Sequence, residues 1–160
     1  NFTIPGILFM IFLMWIGASP ASTGGGIKTT TFALATLNIF SIAKDKPNIE
    51  IGTRRVAREA VLRAFAIISI SLASIGTGIL LLLIFNPEFT LLQIAFETFS
   101  AFSTVGLSLG ITPQLSENSK YVVILLMFFG RIGLINLMIG ILKSVNTTEY
   151  KYPKENILIN

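Results

Sequence analysis

The chain has 160 residues, 52% apolar and 12% charged, with a mean hydropathy of +0.77. An ordinary soluble domain is about 25% charged, so half that share with long uncharged runs reads as an integral membrane protein. The absence of cysteine and histidine excludes disulfides, thiolate metal sites, the commonest zinc ligand and the commonest general base.

The net charge of +4 is unevenly placed. Basic residues gather in "KDKPNIEIGTRRVAREAVLR" and in the C-terminal tail, a positive-inside pattern rather than a nucleic-acid footprint. The chain opens on Asn1, with neither an initiator Met nor a signal-peptide pattern, and the expectation is a piece of a longer chain. In residues 1–43, two apolar runs, 5–19 and 29–43, are each about 15 residues and short for a span. Together they are too long for one plain helix. A helix broken over 20–28, within "ASPASTGGGIKTTT", fits both facts. Three glycines weaken helix there by about 1 kcal/mol each relative to alanine, and Pro20 removes a donor.

Residues 44–63 carry six basic residues against three acidic and read as a cytoplasmic loop. Residues 64–85, "AFAIISISLASIGTGILLLLIF", are a charge-free span ended by Asn86-Pro87. Residues 88–107, "EFTLLQIAFETFSAFSTVGL", are too short and too polar to cross. They suit a pore helix over 92–102 that returns through an extended "STVGL", reached from outside. An external connection over 108–119, a second span over 120–143 with Arg131 inside it, and a cytoplasmic tail over 144–160 complete the chain. The fold class expected is all-α integral membrane, in repeats of helix, re-entrant pore loop and helix.

Aligning Gly17 with Gly130 pairs "LMWI" (13–16) with "LMFF" (126–129). "STVGL" lies about 24 residues before Gly130, a distance that in the first copy falls before Asn1. The chain would then hold the end of one repeat and the whole of the next, with a second T-x-G motif expected just upstream of Asn1. By the same alignment "STGGG" (22–26) belongs to the broken second helix of its unit, although it looks like a second filter.

"FETFSAFSTVGLSLGITPQLS" followed by "ILLMFFGRIG", with "IGASPASTGGGIKTTTF" upstream, resembles the Trk/Ktr potassium transporters over nearly the whole chain. The likeness is strongest to the KtrB-type ion-translocating subunit, with the TrkH type second. It implies four helix–pore loop–helix repeats around one pore, of which this chain is the end of the third and all of the fourth. It further implies potassium as the transported ion, with no cofactor in this chain and sodium as a candidate activator. Also implied are a homodimer in the bacterial plasma membrane, crossing it several times, and a cytosolic nucleotide-binding regulatory ring of the KtrA/TrkA kind.

The candidate filter is Ser103, Thr104, Val105, Gly106 and Leu107, with potassium held by the backbone carbonyls of Thr104, Val105 and Gly106. A dehydrating cation needs several oxygens at once, and carbonyls supply them if the backbone can turn them inward. "TVG" is shared with the potassium-channel "TVGYG", but Leu107 and Ser108 replace the last two residues, which implies fewer ion sites and weaker discrimination against sodium. The rival reading is a helix-capping turn with an incidental glycine. Glu97 either raises the cation potential near the entrance or is a buried carboxylate paired with a neighbour or bonded to a backbone amide. The resemblance places Arg131 in the path below the filter as a barrier; the rival is an ion pair with an acidic group of another repeat.

The same resemblance makes Ser22, Thr23, Gly24, Gly25, Gly26, Lys28 and Thr29 an intramembrane gating loop. Its rivals are a close-packing site for helices and a phosphate loop. Ile27, which separates Gly26 from Lys28, and the lack of a preceding strand argue against the phosphate loop. From other classes stand a membrane-embedded enzyme, lacking His, Cys and an intramembrane carboxylate pair, and a non-transporting packing module.

Overall fold

The structure is a computed structural model and describes residues 3–20, 22–44, 50–51 and 54–133. The tail expected over 144–160 and the end of the span expected over 120–143 lie outside the described residues. Among the described residues five α-helices carry the fold: α1 Ile4–Trp15, α2 Thr29–Ala43, α3 Arg58–Phe85, α4 Leu91–Phe102 and α5 Glu117–Ile132. A two-residue antiparallel pairing, β1 Glu50–Ile51 with β2 Arg54–Arg55, sits in the basic segment between α2 and α3.

Pro5 sits in the first turn of α1, where the missing donor costs nothing. Its 12 residues rise about 18 Å, well short of a ~30 Å hydrocarbon core. The 28 residues of α3 rise about 42 Å and take in Arg58, Glu59 and Arg63 ahead of the charge-free run. Among the described residues α3 is the helix long and apolar enough to cross a membrane. α4 opens on a capping box: Thr90 Oγ1 accepts from the Gln93 amide at 3.4 Å, and Gln93 Oε1 accepts from the Thr90 amide at 3.0 Å. Ser116 caps α5 by accepting from the Ser119 amide.

The core is organised around α4, the shortest helix together with α1. Ile94, Phe96, Ala101 and Phe102 reach three packed groups. Phe96 meets Ile7 and Met14 of α1; Phe102 and Ala101 meet Ile75 of α3 and Leu126 of α5; Ile94 meets Leu82 with Ile111 and Leu115. Gly78 lets α3 lie against its neighbours: a Cβ there would stand 2.7 Å from Leu126 Cδ1 and 3.0 Å from Thr98 Cγ2. By contrast Leu80 and Ile84 of α3, Ile124 and Phe128 of α5, and Phe9 of α1 point outward, as lipid or further protein would require.

One polar knot ties α3 to α5. Asn86, 1% exposed, donates through Nδ2 to the Leu82 carbonyl and to Ser119 Oγ, and accepts from the Ser116 amide through Oδ1 at 2.9 Å. Every polar atom of that buried amide is used but one hydrogen-bond slot, which is what burial demands.

Candidate functional site

α4 ends in a turn that fixes the following strand. The Val105 amide donates to the Ser100 carbonyl and the Thr104 amide to the Ala101 carbonyl, both at 3.0 Å. These are the two bonds of a Schellman cap, in which the residue after the C-cap is left-handed and normally glycine. Here it is Thr104, at φ +52°, the only non-glycine with positive φ among the described residues. A β-branched residue there costs about 1–2 kcal/mol. Gly106 follows at φ +84°, an angle only glycine takes freely. Ser103 is buried and Thr104 half-buried, while Val105 and Leu107 are exposed on this chain. The carbonyls of Ser100 and Ala101 are occupied by the cap. The negative end of the α4 dipole lies at the strand that leaves it and favours a cation.

Glu97 is buried at 6% exposure and holds the strand that returns from the turn. Its carboxylate accepts from the hydroxyls of Ser108 and of Thr112, the latter at 3.1 Å to both oxygens. Ser108 Oγ in turn accepts from the Gly110 amide at 2.9 Å and lies 2.8 Å from Thr112 Oγ1, whose single proton is directed to the carboxylate. The carboxylate is therefore satisfied by hydroxyls rather than by a backbone amide or a cation.

Between α1 and α2 the described residues, 16–20 and 22–28, are non-helical, so the break begins four residues earlier than the 20–28 read from the sequence. The two arms of this stretch run side by side: Ile16 bridges Ile27, the Gly17 amide donates to the Ile27 carbonyl at 2.7 Å, and the Thr29 amide to the Ala18 carbonyl at 3.4 Å. The result is a closed-necked loop of the Ω kind. Phe32 of α2 packs edge-on against Phe12 and Trp15 of α1, with ring centroids 6.2 and 6.3 Å apart, and holds the half-helices together across the break.

The loop lies against the turn after α4. The Gly25 amide donates to Thr104 Oγ1 at 2.8 Å. A Cβ at Gly25 would stand 3.1 Å from the Phe102 carbonyl oxygen, and one at Gly26, itself at φ +77°, 2.9 Å from Ser103 Oγ. Only glycine permits this approach. Lys28 folds back rather than reaching outward: Nζ donates to the Gly24 carbonyl at 2.8 Å and the Ser22 carbonyl at 3.2 Å. Ser22 and Thr23 are exposed, with Ser22 Oγ accepting from the Gly24 amide, and Thr29 is already the first residue of α2.

α5 closes the other side. Gly130 abuts the Phe102 carbonyl so closely that a Cβ would stand 1.7 Å from its oxygen. Arg131 is exposed, and no ion pair is formed by it among the described residues. Two cavities flank the loop–turn contact. One, about 450 Å³, is bordered by Met10 and Met14 of α1, Gly24, Gly25, Thr104 and Val105. The other, about 250 Å³, is bordered by Gly26, Lys28, Thr31, Ser71, Phe102 and Arg131. The structure thus brings the sequence-selected residues of the turn, the glycine loop and Arg131 into one neighbourhood. Trp15 and Ser71, joined through Nε1 to Oγ at 3.4 Å, also brace it; an indole and a serine in apolar helices carry no sequence signal for that role.

A family model described as TrkH: Cation transport protein matches residues 3–150. The chain is 41% identical over 158 residues to the Ktr system potassium uptake protein B of Vibrio alginolyticus, covering 99% of this chain and 34% of that protein. It is 38% identical over 159 residues to the potassium/sodium uptake protein NtpJ of Enterococcus hirae, covering 96% and 35%. It is 38% identical over 153 residues to the Ktr system potassium uptake protein D of Bacillus subtilis, covering 96% and 34%. The chain spans about a third of the length of the curated relatives it matches.

Proposed function

The chain belongs to the TrkH cation transport protein family, and from that premise we propose that it supplies one quarter-pore and an adjoining gate to a channel-like potassium uptake subunit. The relatives' names speak of potassium, or potassium and sodium, uptake. In this reading the chain is the end of the third and all of the fourth helix–pore loop–helix repeat of a multi-pass plasma-membrane protein. The Ktr names favour the KtrB type over the TrkH type, and "system" speaks for further subunits, for which a cytosolic nucleotide-binding ring is the candidate. A homodimer and activation by sodium belong to the same proposal.

The observation that carries the reading is the seating of a glycine loop on a carbonyl turn, through the 2.8 Å bond from Gly25 to Thr104. A turn at the negative end of a buried helix, with Val105 and Leu107 facing out, suits one quarter of a cation-binding ring completed by other repeats. A packing module needs neither the left-handed Thr104 nor the exposed strand. The test is growth of an uptake-deficient strain at low potassium, rescued by the whole transporter containing this chain. Failure to rescue by a protein shown to reach the membrane would overturn the reading.

Arg131 would act beneath the turn as an electrostatic barrier, next to Lys28 on the smaller cavity. The Lys28 ammonium is engaged by two carbonyls, which leaves the guanidinium as the less neutralised charge. Arg131→Ala is expected to raise the maximal rate of potassium uptake about fivefold, the order given by one unit-charge repulsion in a wet site. Unchanged uptake kinetics in vesicles would remove the barrier role.

A further inference from the structure

Resting on the transport reading above, we propose that the Thr104 hydroxyl is a specificity-determining positioning group: through it the seated glycine loop holds the carbonyl turn in its ion-selective shape. The same loop that obstructs the path therefore sharpens the filter, and its departure loosens discrimination.

Four observations converge on this contact. Thr104 sits in a left-handed conformation that threonine disfavours, so something other than its own preference maintains it. The Schellman bonds to Ser100 and Ala101 fix its amide side, and the Gly25 amide fixes its side chain. The loop is also a steric stop: a Cβ at Gly25 would stand 2.9 Å from Thr104 Oγ1 and 3.1 Å from its Cγ2, so the glycine backbone already fills the space into which the threonine would turn. Finally, Ser103 Oγ is buried without a hydrogen-bond partner, pressed against Gly26. Seating the loop seals that hydroxyl from water, and lifting it lets water in. The seated state thus gains one hydrogen bond and strands one hydroxyl. Such a contact is near balance, as an element with two usable positions must be.

The peptide planes on either side of Thr104 carry the carbonyls of Ser103 and Thr104. Their direction follows from the left-handed angle. Relaxing Thr104 toward an ordinary angle swings those oxygens, and a filter with one quarter swung discriminates ions less well.

The experiment uses the whole transporter in liposomes and reads sodium against potassium uptake. Thr104→Val removes the acceptor at nearly constant shape; Thr104→Ser keeps it. With the loop intact, Thr104→Val is expected to raise the sodium-to-potassium ratio about fivefold, the factor one neutral hydrogen bond corresponds to. Thr104→Ser is expected to restore most of the wild-type ratio. When residues 18–26 are deleted, the same valine substitution should change the ratio much less, because the partner is gone. An equal change in both backgrounds would mean that Thr104 acts on the ion directly and would overturn the coupling. Should the valine variant not fold, Gly25→Ala lifts the loop by its clash with Thr104. Faster flux at an unchanged ion ratio in that variant overturns the proposal, and a raised ratio supports it. A wild-type protein that carries no potassium overturns the transport reading itself, an outcome distinct from either of these.

Discussion

Exchanging Gly130 for alanine is expected to reduce potassium uptake by about 100-fold or more, the loss that a displacement on the order of 1 Å causes at a site needing fixed geometry. The methyl group would stand 1.7 Å from the Phe102 carbonyl oxygen, 2.7 Å from its carbon and 3.2 Å from its Cα. All three are backbone atoms of the residue directly before Ser103, so no side chain can rotate away. Either α5 retreats from α4 or the C-terminal end of α4 shifts, and both move the carbonyl turn. Gly78→Ala meets mainly the ends of the Leu126 side chain, which can yield, and should be milder. Gly76 has nothing within 4 Å of its virtual Cβ in this chain. Gly76→Ala should be neutral or slightly stabilising, since alanine is the better helix former by about 1 kcal/mol. Uptake rate and melting temperature in detergent check the ranking. Wild-type uptake in folded Gly130→Ala would mean that α5 is free to move at no cost to the turn.

The three glycines differ only in what their backbone touches, and that marks the boundary of what the amino-acid sequence makes legible. Helical, membrane-type character follows from low charge and long apolar runs, because a chain without water must satisfy its amides within each segment. Motif chemistry singles out the turn, the glycine loop and Arg131. Contacts between distant backbones leave no such trace. "FFGRIG" does not say which carbonyl Gly130 meets, and Gly17, its partner in the repeat alignment, lies instead against Gly25 of its own loop. A left-handed angle at Gly106 suits a glycine; the turn has another at Thr104, where the cap of α4 overrides the residue's own preference. Lys28 is named in the sequence only as a member of the loop, and its long stem lets Nζ reach back to two carbonyls that the loop leaves open. Asn86-Pro87 reads only as a helix stop, while Asn86 is also the buried knot between α3 and α5. For Gly130 and Asn86 the decisive partner is about 30 residues away; for Thr104 and Lys28 it depends on how a turn or a loop closes.

Removal of the glycine loop is expected to give faster and less regulated potassium uptake, and the geometry says which residues to remove. A cut over 22–28 would take out Ile27, which is 1% exposed and forms the neck with Ile16 and Gly17. Deleting 18–26 instead joins Gly17 to Ile27, whose backbones are already hydrogen-bonded at 2.7 Å. It leaves the Phe12–Phe32 and Trp15–Phe32 contacts to hold α1 against α2. The Gly25 bond to Thr104 and the contact of Gly25 and Gly26 with the turn disappear together. Lys28 loses both carbonyl partners and swings into solvent or toward the smaller cavity, where it adds to the charge of Arg131. If the loop gates as proposed, two effects oppose: an obstruction is removed, and a cation is released near the path. The steric term dominates, because backbone in contact with the turn excludes an ion altogether, whereas a mobile ammonium in a wet site is screened. The expected rise in uptake rate is about tenfold, corresponding to about 1.4 kcal/mol of barrier. Adding Lys28→Gln to the deletion should raise it further. Measured with and without the proposed cytosolic regulatory ring, the deleted protein should respond to it weakly or not at all. A folded deletion protein with wild-type rate and wild-type regulation would show that the loop packs against the turn without gating it.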